Sequence, residues 1–249
     1  VAIPAVDSCV MEKPNRWGVI VASSVVSVGL GVTWYLRRQR RLCTVLAAID
    51  SINWDDPRED EIQRGEEKLP ESIGRGTRPK EWLYGQRMSR RLKLFAPWAS
   101  HVVQVAARAQ HVKRWVSERR SYPEGTAGYK KWRQDLGKMH AQIAKEEMLK
   151  AGYGEKEASR VTKLLTKQDI KGDKEVQLLE DVICLVFLEF YWFPFSQKHA
   201  EPQKDAMGEE KLLDIVKKTW VKMSDKGHAA ALELPLPEKP KALILKALS

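Results

Sequence analysis

A few polar side chains interrupt the most apolar helical stretches of this chain, and their types suit them to chemistry. His111 interrupts an apolar run at helical spacing, and His140 lies in the middle of the next such run. Glu180 and Asp181 begin the most apolar stretch, where an ionised carboxylate needs a charged partner or a metal. These four side chains are therefore the first candidates for a buried polar site.

Short motifs that mark the best-known enzyme classes are missing from the sequence. It contains no Walker loop, dinucleotide-binding fingerprint, nucleophile elbow or His-Glu-x-x-His pair. The three cysteines have no metal-ligand spacing, and their odd number does not indicate a disulfide framework. The net charge of +10 suits an anionic membrane surface, an acidic partner or nucleic acid. Nucleic acid is the least favoured of these partners, because no zinc-finger spacing or RNA-binding aromatic signature supports it.

An uncharged apolar stretch from Gly18 to Leu36 predicts a single transmembrane helix. As a helix it would be about 28 Å long, which matches the hydrocarbon thickness of a bilayer. Aromatic rings flank the stretch, and arginines follow it on what is then the cytoplasm-, matrix- or stroma-like side. These flanking residues are Trp17, Trp34, Tyr35, Arg37, Arg38, Arg40 and Arg41. A buried strand or core helix is the alternative, because the stretch is short and rich in valine, serine and glycine.

The arginine flank also indicates where the chain is located. The mitochondrial inner membrane with the domain in the matrix fits best, and a thylakoid with the domain in the stroma is the alternative. Cys184, inside an apolar run, is expected to be a buried thiol in a reducing compartment. Because the chain begins with Val1, we expect that a targeting presequence has been removed, with a truncated chain as the alternative.

The remainder of the chain predicts an all-α domain, because helical periodicity is frequent and strand signals are few. Helices are expected over 82–95, 97–115, 129–151, 157–165, 176–193 and 212–223, with the one over 176–193 at the centre. The predicted divisions are an N-terminal tail (1–16), the anchor (17–36), a basic flank with a helix and a polar linker (37–79), the helical domain (80–232) and a C-terminal tail (233–249).

Several blocks of sequence within the helical domain form a specific, ordered pattern. The first block is AARAQHVKRW at 106–115, and the later ones extend to Gly227. Among them are YPEG at 122–125, GY at 128–129, WR at 132–133, HA at 140–141, AGY at 151–153, QLLEDVICLVFLE at 177–189 and KTW at 218–220. Together they resemble an uncharacterised family, domain of unknown function 4202, over residues 80–232. The resemblance carries no activity, because none is established for the family.

The order of histidines and carboxylates along the helices carries a second, more distant resemblance. His111, His140 and Asp181 on successive helices are similar in order to the HD-type metal-dependent phosphohydrolases. In those enzymes, histidines and aspartates from several helices hold divalent metals that activate water against a phosphate ester. The resemblance implies these three residues as metal ligands. It also implies three contacts for an anion, which are Arg108, Lys113 and Arg114.

Each of these residues also has a structural interpretation. The adjacent His-Asp pair that defines the HD-type enzymes is replaced here by Gln110-His111. A lone histidine in an amphipathic helix is more often a hydrogen-bonded structural residue than a ligand. Asp181 is alternatively expected to form a buried ion pair with Arg108 or Arg114.

Three functions are compatible with the sequence. The favoured hypothesis is an accessory or assembly subunit of a larger organellar membrane complex, respiratory or photosynthetic, with the membrane and other subunits as partners. The second is an HD-like phosphohydrolase tethered to the membrane, with a divalent metal as cofactor. The third is a protein that binds a phosphorylated ligand or nucleic acid without chemistry. The first is favoured because extensions flank the domain at both ends and the metal-ligand set is incomplete.

Overall fold

Helices dominate the structure, and the predicted all-α fold class is confirmed. The computed structural model describes residues 25–63, 76–192, 194–196 and 209–248. Two short antiparallel strands, β1 (Glu59–Glu61) and β2 (Thr77–Pro79), lie between the first two helices. The helices are α1 (Val25–Trp54), α2 (Lys80–Phe95), α3 (His101–Ala109), α4 (Gly125–Lys150), α5 (Glu155–Leu165), α6 (Lys174–Val186), α7 (Glu209–Lys222), α8 (Asp225–Leu232) and α9 (Glu238–Leu248).

Helix α3 lies at the centre of the fold because its small side chains let other helices approach it closely. It contacts α1, α2, α4, α5 and α6, and Val103, Val105 and Ala106 are fully buried. Helix α6 begins two residues before the predicted central helix over 176–193 and covers its first part, and it packs against α2, α3, α5, α7 and α8. A π-helical turn, Phe187–Tyr191, continues it. The core therefore forms where α2, α3 and α6 meet.

The chain after α3 departs from the helix predicted over 97–115. Helix α3 ends at Ala109, and the φ angle of Lys113 is 56°, in the left-handed region that a regular helix does not contain. The side chain of Asn53, at the end of α1, accepts a hydrogen bond from the backbone N–H of Lys113 at 3.0 Å. This contact between distant parts of the chain overrides the local apolar periodicity.

The segment over 233–249, predicted as a C-terminal tail, contains helix α9, which packs against α7. Ile244 and Ala247 are buried on one side of α9. The indole N–H of Trp192 also donates to the carbonyl oxygen of Pro240 at 3.4 Å. The burial of α9 therefore attaches the end of the chain to the core.

Helix α1 contains the second half of the predicted membrane anchor and runs through the arginine flank without a break. Residues 17–24 of that anchor lie outside the described part of the chain. Within the described part, no helix has the length and apolar character needed to cross a membrane. Trp34 and Tyr35 are 61% and 55% exposed, and Arg38 pairs with Glu157 of α5 at 3.3 Å. The arginine flank thus lies on a helix that also contacts the domain.

Candidate functional site

The end of α1 fixes the start of α2 through two polar side chains. Asn53 is fully buried, and its amide donates to the carbonyl oxygen of Glu81 at 3.4 Å. Asp56 accepts the backbone N–H of Glu81 at 3.1 Å and a side-chain hydrogen bond from Arg58 at 2.9 Å. Arg58 also contacts the Glu81 carboxylate at 2.7 Å. Glu81 is therefore held as a buried carboxylate at the edge of the site.

Arg108, predicted as an anion contact, is instead part of a closed buried network. Its guanidinium group donates to both carboxylate oxygens of Asp50, at 2.6 and 2.7 Å, and to the hydroxyl of Ser89 at 2.8 Å. Gln86 completes the network by donating to Asp50 at 3.2 Å. Gly85 leaves room for it, because a Cβ atom there would lie 3.0 Å from Cδ of Arg108. Arg108 therefore holds α1, α2 and α3 together.

His111 lies between an acidic and a basic side chain. Arg114 Nη1 is 2.6 Å from His111 Nε2, and because a guanidinium group can only donate, this nitrogen accepts. The proton is then on Nδ1, which donates to Glu81 Oε2 at 3.1 Å. Burial, followed by the nearby Arg114, holds the pKa of His111 well below its usual value. Tyr84 stacks on the imidazole at 4.0 Å between ring centroids, so the neutral ring is fixed in one orientation.

His140 is the second neutral imidazole of the site, and it is buried. It lies on α4, and its ring centroid is 6.2 Å from that of His111. Nδ1 is 2.8 Å from the carbonyl oxygen of Val112 and must donate to it, which leaves Nε2 as an acceptor. Burial, followed by the neighbouring His111, lowers the pKa of His140 to about 3. The structure thus brings the two predicted histidines together.

Asp181 does not contact the two histidines, and its hydrogen bonds give it a structural role. It accepts hydrogen bonds from the backbone N–H and the hydroxyl of Ser224, at 2.7 and 2.6 Å, and from Gln177 at 3.0 Å. Ser224 in turn caps α8 by accepting the backbone N–H of Gly227 at 3.1 Å. The alternative pairing of Asp181 with Arg108 or Arg114 is not found. Asp181 instead attaches the start of α8 to α6.

The predicted ligands His111, His140 and Asp181 do not fit a divalent metal as they are placed. Both ring nitrogens of His111 are already engaged, and the guanidinium group of Arg114 occupies the position beside Nε2 that a cation would need. The carboxylate of Asp181 is committed to Ser224. In the described ranges, no three or more His, Cys, Asp or Glu residues are grouped so as to hold a metal ion.

Two cavities meet beside the histidines. The larger is a cleft of about 1090 Å³ between the start of α2, the turns after α3, the first part of α4 and the end of α6. The smaller, of about 400 Å³, lies between the middle of α4 and the end of α5. His111, Arg133 and Lys167 line both cavities. A ligand that extends from one cavity into the other would therefore pass these three side chains.

The larger cleft is strongly basic. Three carboxylates line it, Glu81, Glu118 and Glu180, and each is paired with a lining cation. The eight cationic side chains that line it are Arg58, Lys80, Arg114, Arg119, Arg120, Arg133, Lys167 and Lys222. Three of these eight charges are balanced by the carboxylates, so five positive charges remain. Such a cleft attracts an anionic ligand.

Three arginines of the cleft, Arg114, Arg119 and Arg133, form no ion pair with a carboxylate among the described residues. Arg119 instead donates to three backbone carbonyl oxygens of its own turn. Among the described residues, Arg114 hydrogen-bonds to His111, and it lies over the ring of Trp132, with its guanidinium carbon 5.1 Å from the ring centroid. Arg133, on α4, lines both cavities and makes no hydrogen bond or ion pair within the described ranges. Lys167, whose φ angle is 55°, pairs with the buried Glu180 at 2.6 Å. Arg114 and Arg133 are thus the cations best placed to bind an anion.

The predicted anion contacts are separated by the fold. Arg108 is buried in its own network, Lys113 is exposed and lines neither cavity, and Arg114 lines the cleft. Sequence reasoning missed Arg133 and Lys167. A signal for Arg133 was present, since it lies about two helical turns before His140 and therefore on the same face of α4.

The chain belongs to the family described as a domain of unknown function (DUF4202), which matches residues 43–244. The match includes the last part of α1 from residue 43 onward, both strands and all the residues that line the two cavities. No curated protein and no solved structure matches the chain. The geometry of the cavities is therefore the main basis for a function.

Proposed function

We propose that this domain binds a phosphorylated ligand in the basic cleft. The observation that carries the proposal is the charge of the lining, in which eight cationic side chains face three carboxylates that are all paired. Arg114 and Arg133 have no carboxylate of their own among the described residues, so an anion supplied from solution would complete their electrostatic environment.

Arginine is well suited to this task. Its planar guanidinium group presents several N–H donors in a fixed geometry that matches phosphate oxygens. Arg114 is held in place from two sides, by the acceptor nitrogen of His111 and by the ring of Trp132. Its remaining donors are therefore oriented before a ligand arrives, which reduces the entropy lost on binding.

Aromatic side chains form a second part of the cleft. The rings that line it are Tyr84, Trp115, Tyr129, Trp132, Phe187, Tyr191 and Phe195. A concave site with apolar rings and a few convergent charged groups is typical of small-molecule binding. The cleft therefore favours an organic phosphate over a bare inorganic ion.

The experiment is a calorimetric titration of the purified chain with phosphate, pyrophosphate and a panel of organic monophosphates. Arg133→Gln is expected to weaken binding about tenfold, the worth of one charge-assisted hydrogen bond. Lys130→Gln is the matched control, because Lys130 is an exposed cation on the same helix that lines neither cavity. Equal affinities for the two variants, or no binding to the whole panel, would contradict the proposal.

An accessory subunit of a membrane complex is the second candidate. It is supported by the exposed Trp34 and Tyr35 on α1, which lie directly before the arginines at 37–41. Membrane anchoring through residues 17–36 and an organellar location belong to this proposal. Gentle detergent extraction of the native protein tests it, since it requires co-migration with a larger complex; a monomer would count against it.

Hydrolysis of a phosphate ester, the HD-like alternative, is tested in the same titrations. Release of inorganic phosphate from a bound monophosphate would indicate an enzyme. The proximity of His111 and His140, with ring centroids 6.2 Å apart, favours this alternative. The lack of a third metal ligand beside them among the described residues argues against it.

A further inference from the structure

The smaller cavity is lined by a residue whose buried amide oxygen no described group satisfies. Gln110 is 4% exposed, lines this cavity, and its Oε1 atom has no hydrogen-bond partner among the described residues. Buried side-chain oxygens nearly always accept a hydrogen bond, because removing them from water without a partner is costly. As the side chain is placed, the protein encloses Oε1, so a donor in this cavity reaches it once the amide turns toward the cavity. The unsatisfied amide therefore favours a ligand that brings donors into the cavity.

A second acceptor lines the same cavity. His140 donates through Nδ1 to the carbonyl oxygen of Val112, so its Nε2 atom carries a lone pair. No hydrogen bond to this nitrogen is formed within the described ranges. Hydroxyl or N–H groups of a ligand would satisfy both His140 Nε2 and, after the amide turns, Gln110 Oε1.

The remaining lining narrows the choice of ligand. Arg133 and Lys167 stand where the two cavities meet, and their charges disfavour an ammonium group as the donor. Among the residues that the structure describes, no tryptophan, tyrosine or phenylalanine lines the smaller cavity, whereas Gln134 and Thr166 do. The rings of this lining are the imidazoles of His111 and His140, and His111 already stacks on Tyr84. A hydroxyl-rich group therefore finds more partners there than a flat base does.

We propose that the smaller cavity is the subsite for the hydroxyl-bearing part of a sugar or polyol phosphate. Its hydroxyls donate to Gln110 Oε1 and His140 Nε2, and its phosphate contacts Arg133 and Lys167 at the junction of the cavities. The inference rests on the proposed function, because it identifies the class of phosphorylated ligand that the cleft would bind.

The test compares probes that differ only in their hydroxyl groups. Calorimetric titrations of the full chain would use methyl phosphate, glycerol 3-phosphate and ribose 5-phosphate. The two hydroxyl-bearing probes are expected to bind at least about tenfold more tightly than methyl phosphate, a difference that one or two hydrogen bonds supply. Gln110→Met keeps the size of the side chain and removes the acceptor, so it should erase this difference without changing the affinity for methyl phosphate.

The matched control is Gln142→Met, the same chemical change at an exposed position on α4 outside both cavities. It should retain the full preference for the hydroxyl-bearing probes. Equal binding of all three probes to the wild-type chain would overturn the inference and leave the proposed function intact. Failure of every probe to bind would instead overturn both.

Nitrogen NMR of the wild-type chain provides a readout that does not depend on the folding of a variant. The Nε2 resonance of His140 should shift when glycerol 3-phosphate is added and remain in place when methyl phosphate is added. A nucleoside monophosphate that binds most tightly and leaves this resonance unmoved would place the organic group in the larger cleft, and would overturn the inference.

Discussion

Arg108 and Arg114 lie close together in one basic stretch of the sequence, yet the fold gives them opposite environments. Arg108 is buried and donates to both oxygens of Asp50 and to Ser89, so its charge is neutralised within the protein. Arg114 contacts a neutral histidine and an aromatic ring, and no carboxylate within the described ranges forms an ion pair with it. The comparison separates two uses of a cation: one stabilises the fold, and the other remains available to a ligand.

Asp50→Ala should have the largest effect on stability. It would leave the Arg108 guanidinium group buried without its counter-ion, which typically costs about 3–5 kcal/mol of unfolding free energy. Urea denaturation measures the loss. Asp55→Ala, at an exposed position, is the control and should stay within about 0.5 kcal/mol of the wild type. If both variants lose the same free energy, Arg108 is not the structural cation of this comparison.

The second largest expected effect is a loss of stability at low pH, caused by the histidines beside Arg114. The pKa of His140 is about 3 in the folded chain, and that of an unfolded histidine is about 6.5. Between these values the unfolded chain binds a proton that the folded chain excludes, so stability is lost as the pH falls. From pH 7 to pH 5, His140 alone should contribute a loss of about 2 kcal/mol.

Urea denaturation at both pH values, on the wild type and on His140→Gln, measures this contribution. The variant retains a donor for the carbonyl oxygen of Val112 and cannot be protonated in this range. It should therefore lose about 2 kcal/mol less than the wild type. An unchanged pH dependence would mean that His140 is protonated in the folded chain, and the neutral environment assigned to Arg114 would then be wrong.

Much of the fold could be predicted from the sequence, because apolar periodicity records which faces of the helices are buried. The helices around Leu92, Leu136 and Leu185 were expected, and each of these side chains is buried. The end of α3 could not be predicted, since it depends on a hydrogen bond from Lys113 to Asn53, a residue far away in the chain. Periodicity contains no information about such a contact.

The site was only partly predictable for a related reason. His111, His140 and Arg114 were identified because polar residues in apolar stretches attract attention, and the structure brings them together. Arg133 was missed because an arginine on an amphipathic helix resembles any solvated residue. Asp181 was grouped with the histidines on helix order alone, and its bond to Ser224 depends on where α8 packs.

Ser224→Ala tests the second buried carboxylate, Asp181. Like Asp50, Asp181 has its hydrogen-bond partners within the protein. The variant removes the cap of α8 and one hydrogen bond to Asp181, with an expected loss of about 1 kcal/mol. Its affinity for an organic phosphate should be unchanged, because neither Ser224 nor Asp181 lines a cavity. A weakened affinity with unchanged stability would reverse this assignment and restore Asp181 as a ligand-binding residue.

Lys113→Ala and Arg114→Ala give the smallest effects on stability and the sharpest test of the comparison. The two cations are adjacent in sequence, but the exposed Lys113 lines neither cavity, whereas Arg114 lines the cleft. Affinity for an organic phosphate should fall about tenfold for Arg114→Ala and stay within about twofold for Lys113→Ala. Net charge changes equally in both variants, so attraction by the overall positive charge would weaken binding equally. A larger loss of affinity for Arg114→Ala than for Lys113→Ala would therefore indicate oriented contacts with the ligand in the cleft.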